Sequence, residues 1–224
     1  MMTNNCRHND GTRTVTHNAA CLSCFSHQIH FSFLYIFFLL RLGIVGYGDI
    51  GRAVAKLGTQ YGMRIVALRR HPFLSRTNDP FCNRIYDRSA ESMQKLFGES
   101  DYIVCSAPST VETRGMVNAA CLERVKSNAV FINLGRGPVV DEDALMQALQ
   151  SGRLKGAALD VFAQEPLPES HPLWEMDNVL ISPHNMDQTS TFMHEATEFF
   201  VCENLPRFLC EKDLLNPVDA RLGY

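Results

Sequence analysis

"LGIVGYGDIGRAVAKLGTQYG", Leu42 to Gly62, is the stretch on which the fold turns. A short apolar strand, Leu42 to Val45, runs into Gly46-Tyr47-Gly48-Asp49-Ile50-Gly51, after which Val54, Leu57 and Tyr61 recur at helical spacing. Each glycine has a task in a phosphate-binding turn. Gly46 allows the tight bend, Gly48 lets backbone approach a pyrophosphate, and Gly51 lets the helix lie close on the strand. The free N–H groups at the helix start then face the phosphates. A lone G-x-G-x-x-G describes any glycine-rich turn, but a strand before it and a helix after it are what a dinucleotide fingerprint demands.

Working outward, a second strand, Met63 to Leu68, ends at Arg69-Arg70-His71, where a dinucleotide fold usually carries a carboxylate for the ribose hydroxyls. Two guanidinium groups there can fork onto a 2′-phosphate, so NADP is favoured over NAD, the alternative being a solvated basic turn. Further short apolar runs follow at Asp101 to Pro108, Asn128 to Gly137, Leu154 to Phe162 and Asn178 to His184. Helical stretches separate them, among them "DEDALMQALQSG", capped by Asp141 and stopped by Gly152. Repeated βα units predict an α/β fold with a doubly wound parallel sheet, the Rossmann type. Ligands in such sheets sit beyond the carboxyl ends of the strands, which is where Pro108, Arg136, Asp160 and His184 fall.

The run "INLGRGPVVDEDALMQALQSGRLKGAALDVFAQEPLPESHPLWEMDNVLISPH" resembles the NAD(P)-binding domain of the D-isomer-specific 2-hydroxyacid dehydrogenases, the group of the glyoxylate/hydroxypyruvate reductases and phosphoglycerate dehydrogenase. The resemblance extends from about Leu42 to the closing "LLNPVDARLGY". It implies a catalytic trio, and the chemistry of each residue suits its role. Arg136 would hold the substrate carboxylate and polarise the carbonyl, a task for a planar, permanently charged fork. Glu165 would pair with an imidazole and favour its charged form. His184 would protonate the oxygen as hydride arrives from the nicotinamide. Taken singly, an Arg before glycine is a common turn residue and a Glu before proline commonly faces solvent.

The same resemblance implies a cofactor cradle. It consists of Gly46, Tyr47, Gly48, Asp49, Ile50 and Gly51, of Arg69 and Arg70, and of Ala107, Pro108 and Thr113. Leu134, Gly135, Arg136, Asp160 and His184 complete it, with Asp160 meeting the nicotinamide amide and Pro108 the adenine side. A homodimer formed through the cofactor domain is implied as well. Asn185-Met186-Asp187 stands where the family commonly has a small apolar, glycine-rich turn, and Asp49 sets a negative charge beside the pyrophosphate loop. His171 and His194 read as ordinary surface or helix residues.

The resemblance also predicts the domain plan. Residues 1–40 are an atypical leader, residues 41–188 the NAD(P)-binding domain, and residues 189–224 a final helix and tail that would return to a substrate domain. Most of that substrate domain is missing from the expected order, since the polar first 28 residues show no steady period and the leader no βα alternation. The apolar run Ile29 to Leu40 is too short for a simple membrane span, which needs roughly 20 residues, and it lacks the layout of a secretory signal.

A formal net charge of -3 supplies no electrostatic reason to expect nucleic acid or an anionic membrane as partner, so a small molecule is the expected one, and the resemblance implies a 2-oxo or 2-hydroxy acid. Eight scattered cysteines suit reduced thiols in a cytoplasmic protein better than a disulfide framework. Cys21, Cys24, His27 and His30 are zinc-type ligands, but structural zinc sites usually draw two ligand pairs from separated elements, so no metal is expected. Two further readings stay open beside the enzyme: a dinucleotide-binding interaction module without turnover, and an inactive truncated product.

Overall fold

A computed structural model describes residues 39–70, 79–185, 188–219 and 221. The cluster Cys21, Cys24, His27 and His30, the run Ile29 to Phe38, His71, Met186 and Asp187 lie outside the described residues. Seven strands are present among the described residues: β1 (Arg41–Val45), β2 (Arg64–Leu68), β3 (Arg84–Tyr86), β4 (Tyr102–Cys105), β5 (Val130–Asn133), β6 (Gly156–Leu159) and β7 (Val179–Ile181). All pair in parallel, in the order β3-β2-β1-β4-β5-β6-β7. The chain therefore starts in the middle of the sheet and winds first to one side and then to the other. The reversal lies between β1 and β4, and a crevice opens there at the carboxyl edge.

Both faces of the sheet are covered, which is why its strands read as apolar runs rather than as alternations. Val45, Val66, Leu68, Ile103 and Cys105 join one core cluster, and their neighbours Ile44, Ile65, Ala67 and Val104 join the other. Helix α1 (Asp49–Gln60) covers the second cluster, while α2 (Ala90–Glu99) covers the first through Met93, Leu96 and Phe97. The short α3 (Ala119–Leu122) and α4 (Glu142–Gln150) extend that first layer. Asp141 caps α4 as expected, its carboxylate accepting the Ala144 N–H at 3.1 Å, and Gly152 follows the helix at φ +70°.

Two features depart from the sequence expectation. Strand β3 is an addition, a three-residue edge strand held to β2. In α1, the residues at helical spacing face the sheet only in part: Val54 packs on the second core cluster, but Leu57 and, just past the helix, Tyr61 are exposed, and the buried positions are Gly51, Ala55 and Gly58. A β-carbon on Gly58 would stand 2.8 Å from Leu42 and Ile65 side chains, so small residues are what bring the helix down onto β1 and β2.

After β7 the chain continues through α5 (Phe192–Glu198), a wider π-helical segment (Phe199–Asn204) and α6 (Leu205–Leu209). The expected final helix is present but not uniform. Pro206 has no N–H for the ladder and its ring crowds the preceding turn, which places the widened segment directly before it. No residue of this stretch is buried, and Phe200, Phe208 and Leu209 are exposed. Among the described residues no helix is long and apolar enough to cross a membrane.

Phe131 on β5 is fully buried with its ring 6.3 Å from that of Phe97. Replacing Phe131 with Ala is expected to cost about 3–5 kcal/mol in urea-induced unfolding. Val111→Ala, at a side chain 98% exposed, is expected to stay within about 0.5 kcal/mol.

Candidate active site

The carboxyl ends of β1, β2 and β4 enclose a cavity of about 360 Å³, bordered by Gly46, Gly48, Arg69, Arg70, Ala107 and Pro108. The glycine turn is built as its motif requires. Gly46 sits at φ +96°, and a β-carbon there would meet Ala107 backbone at 2.7 Å. Gly51 approaches the Gly46 carbonyl so closely that a β-carbon would stand 2.3 Å from it, whereas nothing lies within 4 Å of the corresponding position on Gly48. The turn is thus packed on the sheet side and open on the cavity side, the shape that a pyrophosphate needs. Asp49 is the first residue of α1, exposed like Ile50, where a carboxylate is compatible with the helix dipole.

Tyr47 differs from a simple loop residue, because its side chain is only 2% exposed and its hydroxyl donates to Asp79 Oδ1 at 3.1 Å. Burial, with Cys82 and Asp79 adding to it, pushes the phenol well above its ordinary value, so the group stays an O–H donor. Asp79 also pairs with Arg52 Nε at 3.2 Å and accepts the Phe81 N–H. The glycine turn is therefore tied to β3's approach by one carboxylate that the motif did not reveal.

Thr113 is buried, its hydroxyl donating to the Pro108 carbonyl, and so shapes the wall of the cavity. Gly135 packs on Ala107, where a β-carbon would stand 2.7 Å from the Ala107 carbonyl oxygen, and Leu134 packs against the second core cluster. Arg88, which the sequence reading did not single out, borders the same cavity as Arg69 and Arg70. It lies between β3 and α2, and only the addition of β3 to the sheet brings it there.

The second half of the edge carries the residues expected to act as acid and base. His184 Nδ1 lies 2.7 Å from Glu165 Oε2, and the other Glu165 oxygen accepts the Phe162 N–H at 3.0 Å. Burial pushes the Glu165 carboxyl up, but the hydrogen bonds from His184 and Phe162, with the charges of His184 and Arg136, outweigh it and hold the group below its ordinary value. Arg136 is exposed at the end of β5, its Nη1 donating to the Gly135 carbonyl at 2.7 Å. His184 itself has φ +54°, a backbone region that non-glycine residues seldom adopt. Buried Asp160 supports it from below by accepting the Ser182 hydroxyl and, at 3.2 Å, the Asn185 N–H.

Residues 37–185 match the family model of the D-isomer specific 2-hydroxyacid dehydrogenase NAD binding domain. The chain belongs to the D-isomer specific 2-hydroxyacid dehydrogenase family. It is 40% identical over 182 residues to glyoxylate/hydroxypyruvate reductase B of Enterobacter sp. strain 638, covering 79% of this chain and 53% of that one. Among solved structures, a D-isomer specific 2-hydroxyacid dehydrogenase of Xanthobacter autotrophicus in complex with NADPH and MES superposes with a TM-score of 0.70 at 37% identity, over 83% of this chain and 56% of the other. An NADPH-dependent glyoxylate/hydroxypyruvate reductase of Sinorhizobium meliloti, in complex with NADP and sulfate, has a TM-score of 0.69 at 28% identity, over 92% and 68%. The chain spans about half the length of the curated relatives it matches. As a member of the family, it presents an NAD(P)-binding fold whose glycine turn fits a dinucleotide pyrophosphate on the geometry above.

The lowered carboxyl of Glu165 has a pH signature. Its contribution to stability is fully present above the ordinary carboxylate value of 4.5 and is lost as pH falls through the lower folded value. In urea unfolding, the stability difference between wild type and Glu165→Gln is expected to shrink as pH drops through that window. A difference that does not change across it would contradict the pairing.

Proposed function

We propose that this chain carries the cofactor-binding and acid/base half of an NAD(P)-dependent oxidoreductase that reduces a small 2-oxoacid, of the glyoxylate or hydroxypyruvate type, to the D-2-hydroxy acid. The carrying observation is the Glu165–His184 pair at 2.7 Å, standing on the same sheet edge as the glycine turn. The names of the relatives, glyoxylate and glyoxylate/hydroxypyruvate reductases, support the substrate class.

When bound, a dihydronicotinamide supplies the hydride. The residues of the chain account for the remaining work. Arg136, always charged, receives the substrate carboxylate and stabilises charge growing on the carbonyl oxygen. Glu165 engages Nδ1 of His184 and so leaves Nε2 for the substrate. His184 gives its proton to the oxygen as the carbonyl becomes a hydroxyl, and Glu165 holds the ring in position for that transfer. Gly46 to Gly51 hold the pyrophosphate, Pro108 and Thr113 bound the adenosine side, and Asp160 fixes the turn that carries His184. Similar structures include complexes with NADPH, NADP and NAD, and it is Arg69 and Arg70 at the cavity wall that support NADP over NAD.

Among the described residues Cys82, Cys105, Cys121, Cys202 and Cys210 are free thiols, which supports a reducing, cytoplasmic setting. Exposed Trp174 and Leu180, on and beside edge strand β7, support a homodimer formed through this domain. The stretch from residue 189 onward is the part that would return to a substrate domain.

The full chain is expected to oxidise NADPH in the presence of glyoxylate or hydroxypyruvate. His184→Ala is expected to lower kcat about a hundredfold or more. Clear binding of dinucleotide with no turnover would sink the enzyme reading in favour of an interaction module. Combining Arg69→Asp with Arg70→Ala is expected to weaken NADPH relative to NADH by about tenfold or more in fluorescence titrations. An unchanged ratio would refute the basic-turn argument.

A further inference from the structure

Three guanidinium groups, those of Arg69, Arg70 and Arg88, border the adenosine end of the cavity. Glu112 reaches two of them, with its Oε2 3.0 Å from Arg88 Nη2 and 3.4 Å from Arg70 Nη2. The arginine side chains are about a quarter exposed, at 24% and 27%, while Glu112 is 58% exposed. Glu112 belongs to the loop after β4, and the arginines to the ends of β2 and β3, so the pairs join the two banks of the crevice. Arg88 and Met116 also border a second cavity of about 340 Å³, which Glu112 lines as well.

We propose that Glu112 is a specificity-determining residue for the cofactor's adenosine end, a tethered counter-ion that a 2′-phosphate must displace from Arg70 and Arg88. The proposal rests on the NADP reading above. A guanidinium fork takes carboxylate and phosphate through the same N–H groups, so both anions compete for the same donors. An unphosphorylated ribose places no charge there and leaves the Glu112 pairs intact. A 2′-phosphate brings more charge than a single carboxylate but meets Glu112 as a like charge until that side chain swings into solvent. The swing is accessible because surface ion pairs are weak and Glu112 is more than half exposed. Glu112 therefore reduces affinity for the phosphorylated cofactor and spares the other, narrowing a preference that the arginines alone would make wider.

The test measures binding of 2′,5′-ADP and of 5′-AMP to the full chain by titration calorimetry, in wild type and in Glu112→Gln. The variant is expected to bind 2′,5′-ADP about threefold to tenfold more tightly and 5′-AMP within about twofold of wild type. Glu112→Ala is expected to act in the same direction, and the gain is expected to fade with added salt. Weaker 2′,5′-ADP binding in both variants, or equal gains for both nucleotides, would overturn the proposal. Should wild type fail to distinguish the two nucleotides while Glu112→Gln does, the NADP reading of the wild-type site falls and the counter-ion role stands. Failure of the variant to distinguish them as well would overturn both.

Discussion

Gly137 runs so close to the loop after β6 that a β-carbon on it would stand 1.7 Å from the Phe162 carbonyl oxygen and 2.6 Å from the Ala163 nitrogen. This backbone contact governs the geometry of the site. Arg136 immediately precedes it on one side, and on the other the Phe162 N–H holds the Glu165 carboxylate. Any side chain at residue 137 would push the two loops apart, and with them the guanidinium and the carboxylate whose charges influence one another. The cofactor half of the edge is assembled in the same way, by Gly46 and Gly135 pressed against Ala107. Residues from four strand ends thus converge by main-chain contact, with side chains left free to face the crevice.

The loop that carries Glu165 is also held electrostatically. Its two successive amides each meet a carboxylate: Phe162 N–H donates to Glu165, and Ala163 N–H donates to Glu142 Oε2 at 3.0 Å. Glu142 is in turn 3.2 Å from His171 Nε2, and His171 Nδ1 accepts the Leu173 N–H. His171 therefore links the first turn of α4 to the loop downstream of Glu165, a more specific position than that of a surface histidine. Precision of this kind matters because proton transfer depends on heavy-atom separations near 3 Å. A carboxylate held at one oxygen by backbone and at the other by imidazole has little freedom to drift from that range.

The strand, glycine turn and helix at Leu42 to Gly62 were legible because each residue type there has a local reason. The same holds for Asp141, whose side chain answers an N–H three residues away, and for Gly152 at positive φ. Features that were not legible depend on distant partners. Strand β3 is three residues long and carries Arg84, so it has no pattern of its own and is defined by pairing to β2. Arg88 enters the cavity only once β3 is in place, and Glu112 meets it across 24 residues of chain. Spacing pointed to Val54, Leu57 and Tyr61, of which Val54 packs on the core, while close approach to β1 and β2 buried Gly51, Ala55 and Gly58 rather than Leu57 and Tyr61. Apolar periodicity locates a helix, whereas how near the helix lies to the sheet decides which of its faces is buried.

The stretch from Phe192 to Leu209 obeys a different balance from the sheet domain. Its helical pieces are seven and five residues long around a six-residue π segment, and none of its residues is buried. The pieces follow one another without a break, but an interrupted helix with no buried face gains nothing from packing, which supplies most helical stability in proteins. Asn204, through paired hydrogen bonds with Leu215 at 2.8 and 3.2 Å, closes the tail back on the π segment, yet this is a local clasp rather than a core. Phe200, Phe208, Leu209 and Leu214 remain exposed. The sheet domain stabilises itself through two apolar layers, while this segment offers apolar area that only another surface can bury.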